Sequence, residues 1–144
     1  MNELDGHNSH HSEERGRKPA TLVAVGILLF VECLLVAGAA VYLLVELLID
    51  TPQSFASAVA ILVLTALAAV GVAVVTVKLL AGEAWTRGAV VVWQVLQASI
   101  GFGSLQGLYA RPDVGWPLIL LAVAVLVLMF TKPVLAATAR REHE

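Results

Sequence analysis

Charge is scarce in this chain. Asp, Glu, Lys and Arg make up 14% of its 144 residues, where soluble domains carry about 25%. The net charge is −2 and no basic patch is present, so a nucleic-acid partner is not expected. A single cysteine, Cys33, excludes an intramolecular disulfide and says nothing about redox compartment. Histidine is confined to the two ends, as His7, His10, His11 and His143. The apolar stretches contain no His-Glu pair, Ser-Lys dyad, Asp pair or metal-binding cluster, so the parts for acid–base or metal catalysis are missing. The expectation is therefore a non-enzyme with no cofactor and no metal.

What fills the chain instead is aliphatic. Hydrophobic residues make up 59%, and the mean hydropathy is +0.87. Four runs approach the roughly 20 apolar residues needed to cross about 30 Å of hydrocarbon. They cover about 21–49, 55–80, 88–108 and 116–137. Turn-like segments separate them: "DTPQS", "AGEAWTR" and "YARPDVGWP". Thr51 is the expected cap of the second run, and Pro52 and Pro117 are placed in helical first turns, where proline is tolerated. Pro133 falls near the inner end of the fourth.

The Lys and Arg positions orient these spans. Arg15, Arg17, Lys18, Lys78, Arg87, Lys132, Arg140 and Arg141 fall on one side, and Arg111 alone on the other. Basic residues favour the cytoplasmic face, so both termini are expected there. Tyr42, Tyr109 and Trp116 then lie near the outer interface and Trp85 near the inner one. The expected fold is all-α: a four-transmembrane-helix bundle in the cytoplasmic membrane, with N and C termini cytoplasmic. Residues 20–138 would form it, with a disordered tail at 1–19 and a short cytoplasmic tail at 139–144. The "RGRK" before the first run and "AGA" at 37–39 also fit a cleaved signal peptide. The run continues another ten residues and carries Glu32, which argues for a retained span. The three tail histidines read as solvated residues rather than metal ligands, since a flexible tail without thiolates binds weakly.

The surroundings are the bilayer and another membrane protein or a second copy of this chain. Small residues permit close helix approach in lipid. Thr65, Ala69 and Ala73 recur at four-residue spacing in the second run, Ala37 to Ala40 cluster in the first, and Gly103 and Gly107 form a G-x-x-x-G pair in the third. The third run is expected to be central. The fourth, with nothing polar from Leu118 to Phe130, is expected to be the most lipid-exposed.

"ILLFVECLLVAGAA" poses the functional question, because Glu32 sits in its middle. On the third run Gln94, Gln97, Gly101 and Ser104 share one stripe at 100° per residue. Counting 1.5 Å per residue from the inner edge, Glu32 lies roughly 16 Å deep and Gln97 roughly 14 Å. Glu32, Gln94, Gln97 and Ser104 are thus the candidate intramembrane polar cluster. With no counter-charge at that depth, Glu32 is expected to be uncharged and paired with Gln97 or Gln94. Structural glue, proton coupling and a contact to another protein all remain open as its role. Glu46 and Asp50 read as solvated headgroup carboxylates. Trp85 and Trp93 read as belt or packing residues, with a cation–π site as the alternative.

Four spans with one membrane glutamate in the first resemble, in outline, the small multidrug resistance transporters, which implies exchange of protons for a cation. The residues around Glu32, "FVECLL", depart from that family's Ala-Glu-Val-type context, and the eight-to-one charge bias differs from its weak one. Across most of its length, through "GEAWTRGAVVVWQVLQ" and "RPDVGWP", the chain is similar to uncharacterised four-span integral membrane proteins of actinobacteria. That resemblance implies the architecture and no activity. An accessory or scaffolding subunit is the expected role, with a small proton- or cation-coupled transporter using Glu32 as the alternative.

Overall fold

A computed structural model describes residues 18–107 and 110–139; His7, His10, His11, Tyr109, Arg140 and Arg141 lie outside them. The described residues form five α-helices and no strand. They are α1 (Ala20–Ile49, 30 residues), α2 (Phe55–Leu80, 26), α3 (Thr86–Ser104, 19), α4 (Pro112–Met129, 18) and α5 (Lys132–Ala139, 8). By length and composition α1, α2 and α4 can each cross a membrane. These three helices, with large apolar side chains such as Ile27, Leu64 and Leu120 on the surface, give the chain the make-up of a multi-pass membrane protein. α3, formed where the third run was expected to span, falls short on composition: Arg87, Gln94 and Gln97 sit within its nineteen residues.

Several boundaries differ from the sequence reading, each for a local reason. Ser54 rather than Thr51 caps α2, its hydroxyl accepting from the Ser57 N–H at 3.4 Å. α4 begins at Pro112, whose missing N–H would be unsatisfied at a helix start in any case. Pro117 therefore lies inside the helix instead of in its first turn. The fourth run breaks at Phe130 and Thr131 into α4 and α5. Pro133 explains the break, because its ring would collide with the Met129 carbonyl of a continuous helix.

The helices pack as two hairpins, α1 with α2 and α3 with α4. The hairpins meet mainly through α1 and α4, while α2 and α3 touch lightly and α5 folds under α1. α1 and α3 thus lie on a diagonal. α1 contacts α2, α4 and α5, and α4 contacts α3, α1 and α5, whereas α3, expected to be central, contacts α4 and only lightly α2. The most exposed helix is α2, which buries only Val72, Thr76 and Leu79, rather than α4, which buries Gly115, Ala122, Val125 and Met129. Gly115 and Ala122 allow α4 to approach closely, and this draws it into the bundle.

The tightest crossing joins α3 to α4. A Cβ on Gly115 would lie 2.7 Å from the Gly101 carbonyl oxygen, and one on Gly101 would lie 3.0 Å from the Gly115 oxygen. Only hydrogen fits between these backbones. The anticipated Gly103 and Gly107 pair does not form this contact. A Cβ on Gly103 would meet nothing within 4 Å, and Gly107 lies past the end of α3 with φ +93°.

The apolar core joins Leu22, Val25 and Leu29 of α1 to Leu79, Val90, Val125, Met129 and Val134. It occupies one end of the molecule. No residue of α1 after Glu32, and none of α2 before Val72, is buried. The far halves of these helices are half-buried at most.

Candidate functional site: a polar cluster across the bundle diagonal

The core ends at Glu32, 2% exposed and one turn beyond Leu29. Its carboxyl reaches across the diagonal to α3. Gln94 Nε2 donates to both oxygens, at 3.1 Å to Oε1 and 3.0 Å to Oε2. Trp93 Nε1 donates to Oε2 at 3.0 Å, and Gln97 Nε2 to Oε1 at 3.3 Å. Gln97 Nε2 also donates to the Leu118 carbonyl at 3.3 Å, which ties α4 into the same network. Helical spacing explains the convergence: 93, 94 and 97 fall within one turn, so three N–H groups can meet one carboxyl.

Of the four residues expected in the cluster, Glu32, Gln94 and Gln97 come together. Ser104 does not join them, and its hydroxyl donates instead to the Ile100 carbonyl at 2.8 Å. Trp93 was not anticipated in the cluster. The available signal was its indole N–H, which usually finds a partner when buried, next in sequence to Gln94.

The helix-packing residues divide. Thr65, Ala69 and Ala73 are half-buried along α2. The Ala69 carbonyl accepts from the Cys33 thiol of α1 at 3.5 Å, while Thr65 bonds its own helix at the Ile61 carbonyl. Gly26, not singled out from the sequence, faces Leu80 so closely that a Cβ there would be 2.6 Å from a leucine methyl.

Every group around Glu32 is an N–H donor, which suits an oxygen acceptor and not a metal cation. Among the described residues no three His, Cys, Asp or Glu side chains converge. One acceptor in the cluster is unmatched: Gln94 Oε1 is buried without a hydrogen-bond partner.

Beside the cluster, an open groove of about 360 Å³ runs between α2 and α3, walled by Ala68, Gly71, Val75, Ala89, Val92 and Trp93. It is apolar throughout, a consequence of the light packing between these helices, and Glu32 does not line it. Trp93 stands between the two, with its N–H on Glu32 and part of its ring in the groove. A second hollow, about 210 Å³, opens between the far ends of α1 and α2 beside Glu46 and Asp50.

No family model matches this chain, and neither a curated protein nor a solved structure matches it.

Proposed function

We propose that this is a non-enzymatic accessory or scaffolding subunit of a membrane complex, crossing the cytoplasmic membrane four times with both ends inside. The observation that carries the reading is the unpartnered arm of the first hairpin. α1 places Ala37, Gly38, Ala39 and Ala40 there, and a Cβ on Gly38 would meet nothing within 4 Å. Small residues let a second helix approach, and Gly38 and Ala39 are exposed on this arm beside α2. Glu32 acts as a staple in this reading, holding α1 to α3 and α4 while the arm engages a membrane protein or a second copy.

The fourth crossing, by α3, is supported by its polar face. Gln94 and Gln97 turn inward and meet Glu32, which leaves Val92, Val95, Leu96 and Ile100 exposed on the outside, an apolar surface suited to lipid. The topology is supported by the eight-to-one distribution of basic residues. The lone basic residue of the opposite side, Arg111, pairs with Asp113 at 3.1 Å.

Purification from the native membrane in mild detergent, followed by mass spectrometry, tests this. A stoichiometric membrane partner retained by both the wild type and Glu32→Gln supports the scaffold. A monomer without partner defeats it. The second reading, a small proton- or cation-coupled transporter using Glu32 with Gln94 and Gln97, is favoured by the unmatched Gln94 Oε1. It predicts proton flux in liposomes that disappears in Glu32→Gln.

A further inference from the structure

Gln94 holds a fully buried amide oxygen with no donor, and its amide nitrogen contacts the one buried carboxyl among the described residues. The two facts belong together. In the arrangement described, both oxygens of Glu32 only accept, from Trp93, Gln94 and Gln97. That suits an ionised carboxylate, which is acceptor-only. A protonated carboxyl carries an O–H that needs an acceptor, and the three neighbours differ in what they can offer. Trp93 is a donor only. Gln97 is pinned, because its Nε2 also donates to the Leu118 carbonyl. Turning that amide over would set its oxygen against a carbonyl oxygen. Gln94 has no such tie, and the two ends of an amide are nearly equal in size, so a half-turn about its last side-chain bond leaves the packing unchanged.

We propose that Glu32 and Gln94 together form a proton-binding site, in which the Gln94 amide turns over as the carboxyl takes up or releases its proton. This goes beyond a staple, since the cluster then has two arrangements. With Glu32 ionised, Gln94 Nε2 donates to it and Oε1 is left without a donor. When a proton from the aqueous phase binds one carboxyl oxygen, Oε1 swings in to accept the new O–H. Trp93 and Gln97 continue to donate to the remaining lone pairs. One proton is gained and nothing else changes hands.

Among the described residues no other charge takes part. Lys78 of α2 lies near its helix end and pairs with Glu83. On α3 the charged residue is Arg87, two turns before Gln94, and on α4 it is Asp113, paired with Arg111. Lys132 begins α5. On α1 itself Cys33 turns its thiol to the Ala69 carbonyl, and Glu46 lies near the far end. The direct side-chain partners of the Glu32 carboxyl are Trp93, Gln94 and Gln97.

Solid-state NMR of ¹³C,¹⁵N-labelled full-length protein in lipid bilayers tests this, following the Glu32 carboxyl carbon and the side-chain amides of Gln94 and Gln97 across pH. The expected result is one shared midpoint for Glu32 and Gln94, with the Gln97 amide keeping its orientation. In Glu32→Gln the Gln94 amide should stop responding to pH. A Gln94 amide that stays constant while Glu32 titrates overturns the proposal. So does a Glu32 carboxyl without any transition, or a Gln94 response that survives in Glu32→Gln.

Discussion

Gln94 Nε2 sits within 3.1 Å of both carboxyl oxygens of Glu32, and so bridges two helices whose backbones are not packed against each other. The bond is made by the full reach of two side chains across the centre of the bundle. Shortening either one breaks it.

Glu32→Ala should therefore cost far more than Glu32→Gln. The alanine leaves the N–H groups of Trp93, Gln94 and Gln97 without their acceptor, and each buried unsatisfied group costs about 1–3 kcal/mol. The glutamine keeps one oxygen acceptor and strands only one of these N–H groups, at a cost of about 1–3 kcal/mol in all. Thermal unfolding in detergent ranks the two. If they lose equal stability, the network does not hold the helices together.

The pair should also be non-additive. Glu32→Leu with Gln94→Leu removes donor and acceptor together, and replacing both partners by apolar groups can be nearly neutral. The double variant should thus lie above the sum of the singles, with a coupling of about 1 kcal/mol or more in a thermodynamic cycle. A strictly additive cycle would show that the two side chains act separately.

Glycine at the α3–α4 crossing should be irreplaceable even by alanine. Gly115→Ala sets a methyl 2.7 Å from the Gly101 carbonyl oxygen, and overpacking of this kind costs typically 1–3 kcal/mol. Gly103→Ala adds a methyl in open space and should be neutral or gain up to about 1 kcal/mol of helix propensity. The difference between their unfolding temperatures is the measurement, and equal effects would refute the crossing.

Topology can be read with one thiol at a time. In a Cys33→Ser background, Ser54→Cys and Asp113→Cys should react with a membrane-impermeant maleimide from outside intact cells. Glu83→Cys should react only after the membrane is opened. Labelling of Asp113→Cys from the inside would mean that α3 does not cross.

The cluster was legible where depth and periodicity were enough. Both place Glu32 level with Gln97 and put the two glutamines on one inward stripe, and neither needs a fold. Trp93 escaped because an indole in an apolar run is equally consistent with packing, and only the diagonal geometry turns its N–H toward Glu32. Gly115 escaped for a different reason. It lies in "RPDVGWP", where two prolines and a glycine read as a loop, yet Pro112 serves as a first helical residue and carries Gly115 into α4. The over-reading of Gly103 and Gly107 has the same root. A spacing motif assumes that the helix continues, and α3 ends at Ser104. The unequal engagement of the two ends of α1 could not be read from the sequence, since apolar residues fill the helix throughout.

The unequal lengths of the hairpins have a consequence for the bilayer itself. At 1.5 Å per residue α1 is about 45 Å long and α2 about 39 Å, while α3 and α4 are each under about 30 Å. The second hairpin matches an ordinary hydrocarbon layer of about 30 Å; the first exceeds it, and its surplus, around Leu48 and Ile49, is apolar and exposed. If all four helices cross as proposed, lipids beside α1 and α2 stretch their chains or that hairpin leans, while lipids beside α3 and α4 need do neither. The molecule is thus thick on one flank and thin on the other. In the proposed four-span arrangement such a molecule would favour a place where the membrane also changes thickness.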